Sequence, residues 1–235
     1  MGGTDYQILE DVAKNYRSDK YPKGFDFKTL TDMFIIESSG ERLAVTGSKV
    51  GPFQLSEDVG RKYGIITNRA DYRASVEHSA RAAIRLHEDN IESFHPYVVN
   101  SINQREKDTG KKMDEGFVGY IAHQQGRYGF QDIITGSYSG EIHKDVRNNM
   151  FHNLGFTVYN KDGSVTEEYK KYKKRYPNTK DGNKALANHY LNFWDTRYTK
   201  KQKEAERWRK KSKDKIDAMS IDPDEYIMKE VLVNP

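Results

Sequence analysis

The stretch FIIESSGERLAVTGSKVGPFQLSEDVGRKYGI, residues 34–65, joins the end of an apolar helix to a glycine-rich turn. Glu37 directly follows four apolar residues, 33–36, and Gly40 ends the helical pattern. Apolar surroundings disfavour the charged form of a carboxyl group and therefore raise its pKa. The pattern leaves two interpretations open: a catalytic acid held in a cleft, or an ordinary solvated glutamate at a helix end.

The turn that follows favours the first interpretation. Gly47 and Gly51 allow the backbone to pass close to a ligand, and the amide of Gln54 can donate a hydrogen bond to a sugar or accept one. Cleavage of a glycosidic bond needs a carboxylic acid that is neutral near pH 7, because this acid must protonate the leaving oxygen. These residues therefore have the parts needed to cut such a bond.

The composition limits the class of protein. The chain has 235 residues, of which 35% are hydrophobic and 31% are charged, as expected of one domain with an appendage or of two small domains. It has no Cys, so neither disulfide nor thiol chemistry is available. No run of about 18 apolar residues is present, and the start lacks a secretory signal pattern. We therefore expect no membrane span and synthesis in the cytoplasm without a signal peptide.

Hydrophobic periodicity predicts a mainly α protein, with a polar turn or short β-hairpin at residues 44–51. Residues 100–113 read as a polar stretch between helices. The predicted helices cover residues 4–17, 26–39, 70–90, 114–126 and 141–156, with a helix start at Ser56 and two further helices in the tail, at 164–176 and 183–219.

The charge balance changes near residue 160. Residues 161–235 hold 19 Lys and Arg against 13 Asp and Glu, whereas residues 1–160 carry a small net negative charge. We predict two domains with this boundary, the second a basic and mostly helical C-terminal extension. A charged run of this kind is most often the solvated face of a helix. Because acidic residues interrupt it throughout, we favour docking onto a larger assembly over nucleic-acid binding, which stays possible.

Three motifs, in this order, resemble those of the soluble (SLT, goose-lysozyme-like) lytic transglycosylases. The resemblance covers roughly residues 20–155. After the third motif, residues 146–150 (VRNNM) echo a segment found in podophage ejection proteins that carry such a domain. The motifs are Glu37-Ser38 in FIIESSG, GPFQ at 51–54, and AHQQG at 122–126.

The resemblance implies a lysozyme-like α domain in which Glu37 acts first as the acid and then as the base. No metal or cofactor is implied, since the muramoyl 6-hydroxyl of the substrate supplies the nucleophile. The chain departs from the family at Pro52-Phe53 (usually Leu-Met), at His123-Gln124 (usually Tyr-Asn) and at Asn149 (usually Tyr). The residues expected to bind the glycan strand are Ser38, Gly51, Phe53, Gln54, His123, Gln124, Gln125 and Tyr128.

The resemblance also implies a setting and a partner. It predicts a bacteriophage virion protein that cleaves peptidoglycan locally during genome ejection and contacts other virion proteins through its C-terminal extension. Two alternatives remain open at this point. One is a hydrolytic muramidase or endolysin, and the other is a non-catalytic virion protein, structural or DNA-contacting, that retains the fold.

Overall fold

The computed structural model describes residues 3–92, 94–155, 160 and 164–219. The described chain is mainly helical, with one two-stranded antiparallel hairpin, which confirms the predicted mainly α class. No helix in these ranges is both long and apolar enough to span a membrane. The elements are α1 (Gly3–Asn15), α2 (Phe27–Ser38), β1 (Val45–Thr46), β2 (Lys49–Val50), α3 (Glu57–Lys62), α4 (Val76–Glu92), α5 (Pro96–Thr109), α6 (Glu115–Ser139), α7 (Lys144–Asn153), α8 (Glu167–Arg175) and α9 (Lys180–Met219).

The chain forms two compact units. Unit 1 contains the described residues 3–84 and 201–219, and unit 2 contains the described residues from 85 to 200. The division falls within α4 and within α9, and so differs from the domain boundary predicted at residue 160. The segment predicted as a C-terminal extension contributes residues to both units.

Helix α2 has defined start and stop interactions. The Asp26 carboxylate accepts a hydrogen bond from the backbone N–H of Thr29 at 2.7 Å, an N-cap that satisfies a free donor of the first turn. Leu30 and Phe34 are fully buried and anchor the helix in the core of unit 1. The helix ends at Ser39, which adopts a left-handed backbone (φ 56°) next to the glycine predicted to end it.

A buried carboxylate joins α2 to the C-terminal part of α9 within unit 1. Asp32 is 1% exposed, and its carboxylate accepts hydrogen bonds from Arg209 at 2.6 Å, Lys28 at 2.9 Å and Gln202 at 3.2 Å. Arg209 also donates to the hydroxyl of Thr31 at 2.6 Å. A buried charge is tolerated when it is paired and hydrogen-bonded, as here.

An aromatic contact lies beside this ion pair. The ring of Trp208 packs on Phe34, with centroids 5.3 Å apart, and lies 6.2 Å from the ring of Tyr6 on α1. A methyl group added at Gly40 would lie 3.3 Å from Phe34 and 3.8 Å from Trp208. Residues at both ends of the sequence therefore pack around the end of α2.

In unit 2, helix α6 is longer than predicted. The sequence predicted a helix end at Gly126, and this glycine does adopt a non-helical backbone (φ 71°, ψ 158°). The helix nevertheless resumes and continues to Ser139. Phe130, Ile133 and Ile134 are fully buried after the kink. Tertiary burial of this apolar face stabilises a helix that the local sequence does not favour.

Helix α5 was missed because its apolar stripe is short. Residues 100–113 read as a polar stretch, but the structure places a helix over most of them. Only Val98 and Arg105 are buried on this helix, so no 3.6-residue apolar period marks it.

Helix α4 starts later than predicted, at Val76 instead of residue 70. The Thr67 hydroxyl accepts hydrogen bonds from the N–H groups of Arg69 and Ala70, and Asp71 accepts one from the N–H of Arg73. Such local bonds compete with the helix and hold the preceding segment as turns.

We expect Arg209→Met to lower the free energy of unfolding by about 3 kcal/mol or more, because the buried Asp32 carboxylate loses its nearest cationic partner. Urea denaturation at pH 7 measures this. The control is Lys213→Met, four residues further along α9, whose ion pair with Asp217 is exposed and should contribute far less to stability. Equal, small effects of both substitutions would contradict the role of the buried pair.

Candidate active site

Glu37 lies in the last turn of α2, within unit 1. Ile35, two residues before it, is 4% exposed, whereas Glu37 is partly exposed. Ser39 ends the helix by donating its backbone N–H to the carbonyl oxygen of Ile35 at 2.9 Å. Glu37 is therefore fixed on a rigid element and reaches the surface of the unit only in part.

Burial raises the pKa of Glu37 from its ordinary value of 4.5 to about 7. The ammonium group of Lys49, on the hairpin, acts in the opposite direction and lowers the pKa of the carboxyl group. The balance leaves a carboxyl group that is about half protonated at neutral pH. Such a group can both donate and accept a proton, as general acid–base catalysis requires.

Lys49 was not predicted from the sequence. It lies on β2 of a hairpin whose strands have two residues each. Thr46 pairs with Lys49, and Val45 pairs with Val50. The predicted short hairpin is therefore present. Hairpin geometry, which the sequence left undefined, is what brings this cation close enough to Glu37 to change its pKa.

Ser38 takes part in the helix end. Its hydroxyl donates to the carbonyl oxygen of Phe34 at 3.1 Å and accepts from the N–H of Gly40 at 3.2 Å. The Ser38 side chain therefore positions the backbone that follows Glu37.

Gly51 is needed because another segment lies against it. Its backbone has φ +85°, and a Cβ atom at this position would lie 1.8 Å from the carbonyl oxygen of Arg73. The Arg73 guanidinium in turn donates to the carbonyl oxygens of Ser48 and Leu55, at 3.2 and 3.3 Å. The close approach expected at this glycine is present, and its neighbour in the structure is the protein backbone.

Phe53 and Gln54 support the turn from inside unit 1. Phe53 is 1% exposed, and its ring lies 5.8 Å from that of Phe34. Gln54 is 3% exposed, and its side-chain amide donates to the carbonyl oxygens of Ala44 and Gly51, at 2.9 and 2.8 Å. Both side chains were predicted to bind the substrate. In the structure they are buried beneath the turn and support its backbone.

The other four predicted binding residues lie on α6 in unit 2. His123 and Gln124 are partly exposed just before the kink. Gln125 donates its amide to the hydroxyl of Tyr190, and burial raises the pKa of that hydroxyl to about 12. Tyr128 is 72% exposed, and the guanidinium of Arg127 lies over its ring, 4.6 Å from the centroid. The predicted residues therefore divide into Glu37, Ser38, Gly51, Phe53 and Gln54 in unit 1 and His123, Gln124, Gln125 and Tyr128 in unit 2.

Two other carboxylates lie near Glu37 in the sequence. Asp32 is held in ion pairs with Lys28 and Arg209, whereas Glu41 is exposed. In the described ranges no three His, Asp or Glu side chains are grouped so that they could hold a metal ion. Neither neighbouring carboxylate shares the environment of Glu37.

We expect Glu37→Gln to be more stable than the wild type above neutral pH. The pKa of Glu37 is raised on folding, so the unfolded chain releases this proton first and the wild type loses stability between pH 4.5 and about 7. The glutamine variant lacks this loss, and its advantage should reach up to about 3 kcal/mol. Urea denaturation at pH 4.5, 6 and 8 measures the difference. The exposed control Glu41→Gln should show no such trend, and an identical pH dependence of both variants would contradict the raised pKa.

Glu37 thus combines a raised pKa, a neighbouring cation and a tightly supported turn after its helix. Comparison of the chain with family models, with curated proteins and with solved structures found no match. The function is therefore inferred from the chemistry of the site.

Proposed function

We propose that this chain is a peptidoglycan lytic transglycosylase with a lysozyme-like catalytic region. It cleaves the β-1,4 bond between N-acetylmuramic acid and N-acetylglucosamine and leaves a 1,6-anhydro end. The observation that carries the proposal is Glu37, a partly buried carboxyl group with a pKa of about 7. The three ordered motifs that resemble this family support it.

The reaction uses one carboxyl group twice. Protonated Glu37 gives its proton to the glycosidic oxygen as the bond from that oxygen to the muramoyl anomeric carbon breaks. The resulting carboxylate then takes the proton of the muramoyl 6-hydroxyl, whose oxygen attacks the anomeric carbon. The proton returns to Glu37, and no water is consumed. A pKa near 7 suits both steps, because neither protonation state is strongly disfavoured at neutral pH.

Hydrolysis by water is the closest rival. Most glycosidases that use water, or a covalent intermediate, need a second carboxylate beside the bond. The two neighbours of Glu37 in the sequence do not offer one, since Asp32 is buried in ion pairs and Glu41 is exposed. This favours the substrate's own hydroxyl as the nucleophile.

The biological setting belongs to the same proposal. We infer a virion-associated protein of a bacteriophage that opens peptidoglycan locally during genome ejection. The non-catalytic rival, a structural or DNA-contacting virion protein, is favoured by one feature: α9 carries exposed cations such as Lys203, Arg207 and Lys210. Acidic residues such as Glu206 and Asp214 interrupt them, which reduces the field available to a phosphate backbone.

Mass analysis of the fragments released from purified peptidoglycan tests the proposal. We expect the wild type to release fragments lighter by one water than hydrolysis products. Glu37→Gln should remain folded and release fragments at least about 100-fold more slowly, since it cannot transfer the proton. The control Glu41→Gln should match the wild type.

Each other outcome contradicts a defined part of the proposal. Full-mass fragments would replace the lyase with a hydrolase. Undiminished cleavage by Glu37→Gln would remove this residue from catalysis. If the folded wild type releases no fragments, the cleavage reaction is contradicted and the non-catalytic virion protein is favoured.

A further inference from the structure

Unit 2 contains a cavity of about 390 Å³ that none of the predicted site residues lines. It lies between the end of α5, the loop after it, the start of α6 and the middle of α9. Its volume falls in the range of about 300–1,000 Å³ that is usual for sites binding small molecules.

A buried cation forms part of the wall of this cavity. Arg105 is 7% exposed, and its guanidinium donates to the amide oxygens of Asn188 at 2.7 Å and Asn192 at 2.6 Å. Both partners are neutral, and Arg105 forms no ion pair with any described residue. Burial lowers the pKa of Arg105, which reflects the cost of holding its charge away from water. A guanidinium has five N–H donors, so further donors remain for a ligand.

The rest of the lining adds positive charge and an apolar wall. Lys111 and Lys112 are exposed on the loop, and Asp195 lies 3.7 Å from the ammonium group of Lys111. The residues that line the cavity thus include three cations and one carboxylate. Met113 and Phe117 line the same cavity and offer apolar surface.

We propose that this cavity binds a small organic anion, whose carboxylate or phosphate group contacts Arg105 and the two lysines. The apolar part of the molecule packs against Met113 and Phe117. Taken alone, the two hydrogen bonds to asparagine side chains indicate that Arg105 links α5 to α9. Such a structural link accounts neither for the open volume beside Arg105 nor for the excess of cations among the lining residues. The inference does not depend on Glu37 or on the proposed cleavage reaction.

Isothermal titration calorimetry of the full chain at pH 7 and constant ionic strength tests the inference, with hexanoate and hexyl phosphate as probes and hexanol as the neutral control. We expect saturable one-to-one binding of at least one anion and none of hexanol. Binding of only one anion identifies the group that the site recognises, and binding of both assigns a general oxyanion site.

Two variants locate the binding. Lys111→Ser/Lys112→Ser changes only exposed side chains and should weaken binding roughly fivefold or more. Arg105→Lys keeps the charge but loses the planar fork and should weaken it as well. The matched control, Lys171→Ser/Lys174→Ser, removes two exposed lysines of α8 and should bind like the wild type. No saturable binding to the wild type, or equal weakening in the control pair, would overturn the proposal.

Discussion

The buried ion pair between Asp32 and Arg209 is the constraint on which unit 1 depends. It joins side chains 177 positions apart in the sequence, and it holds α2 against the C-terminal part of α9. Trp208 packs on Phe34 beside it, one turn before Glu37. A carboxylate that is 1% exposed cannot lose its partners without a large cost, so the two helices are fixed together. Contacts between α2 and the C-terminal part of α9 therefore hold the end of α2 in place.

That rigid end gives the candidate acid its properties. The pKa of Glu37 rises because folding removes water from the carboxyl group, and it stops near 7 because Lys49 partly compensates. The turn after the hairpin is equally constrained: Gly51 fits against the backbone of Arg73, and the Gln54 amide joins two carbonyl oxygens. Much of what resembles a family motif in this turn thus serves to hold its backbone.

The sequence predicted what depends on local pattern. The mainly α class, the Asp26 cap, the short hairpin and the helix end beside Glu37 follow from propensity, capping and hydrophobic period, and the structure contains them. It did not predict what depends on long-range contact. Nothing in the local sequence indicates that Asp32 pairs with Arg209. Likewise, only the folded hairpin shows that Lys49 lowers the pKa of Glu37. Phe53 and Gln54 were expected at the substrate, but burial gives their side chains a structural position. The continuation of α6 beyond Gly126 likewise comes from burial of the residues that follow.

The central claim is that folding gives one carboxyl group, Glu37, a pKa suited to acting as both acid and base. The most direct test is to titrate ¹³C-labelled glutamate side chains by NMR, with the Glu37 signal assigned by its loss in Glu37→Gln. We predict a midpoint at about pH 7 in the wild type. In Lys49→Met the midpoint should be higher, because the cation that lowers the pKa is gone, whereas the exposed Lys14→Met control should leave it unchanged. A wild-type midpoint near the ordinary value of 4.5 would contradict the account.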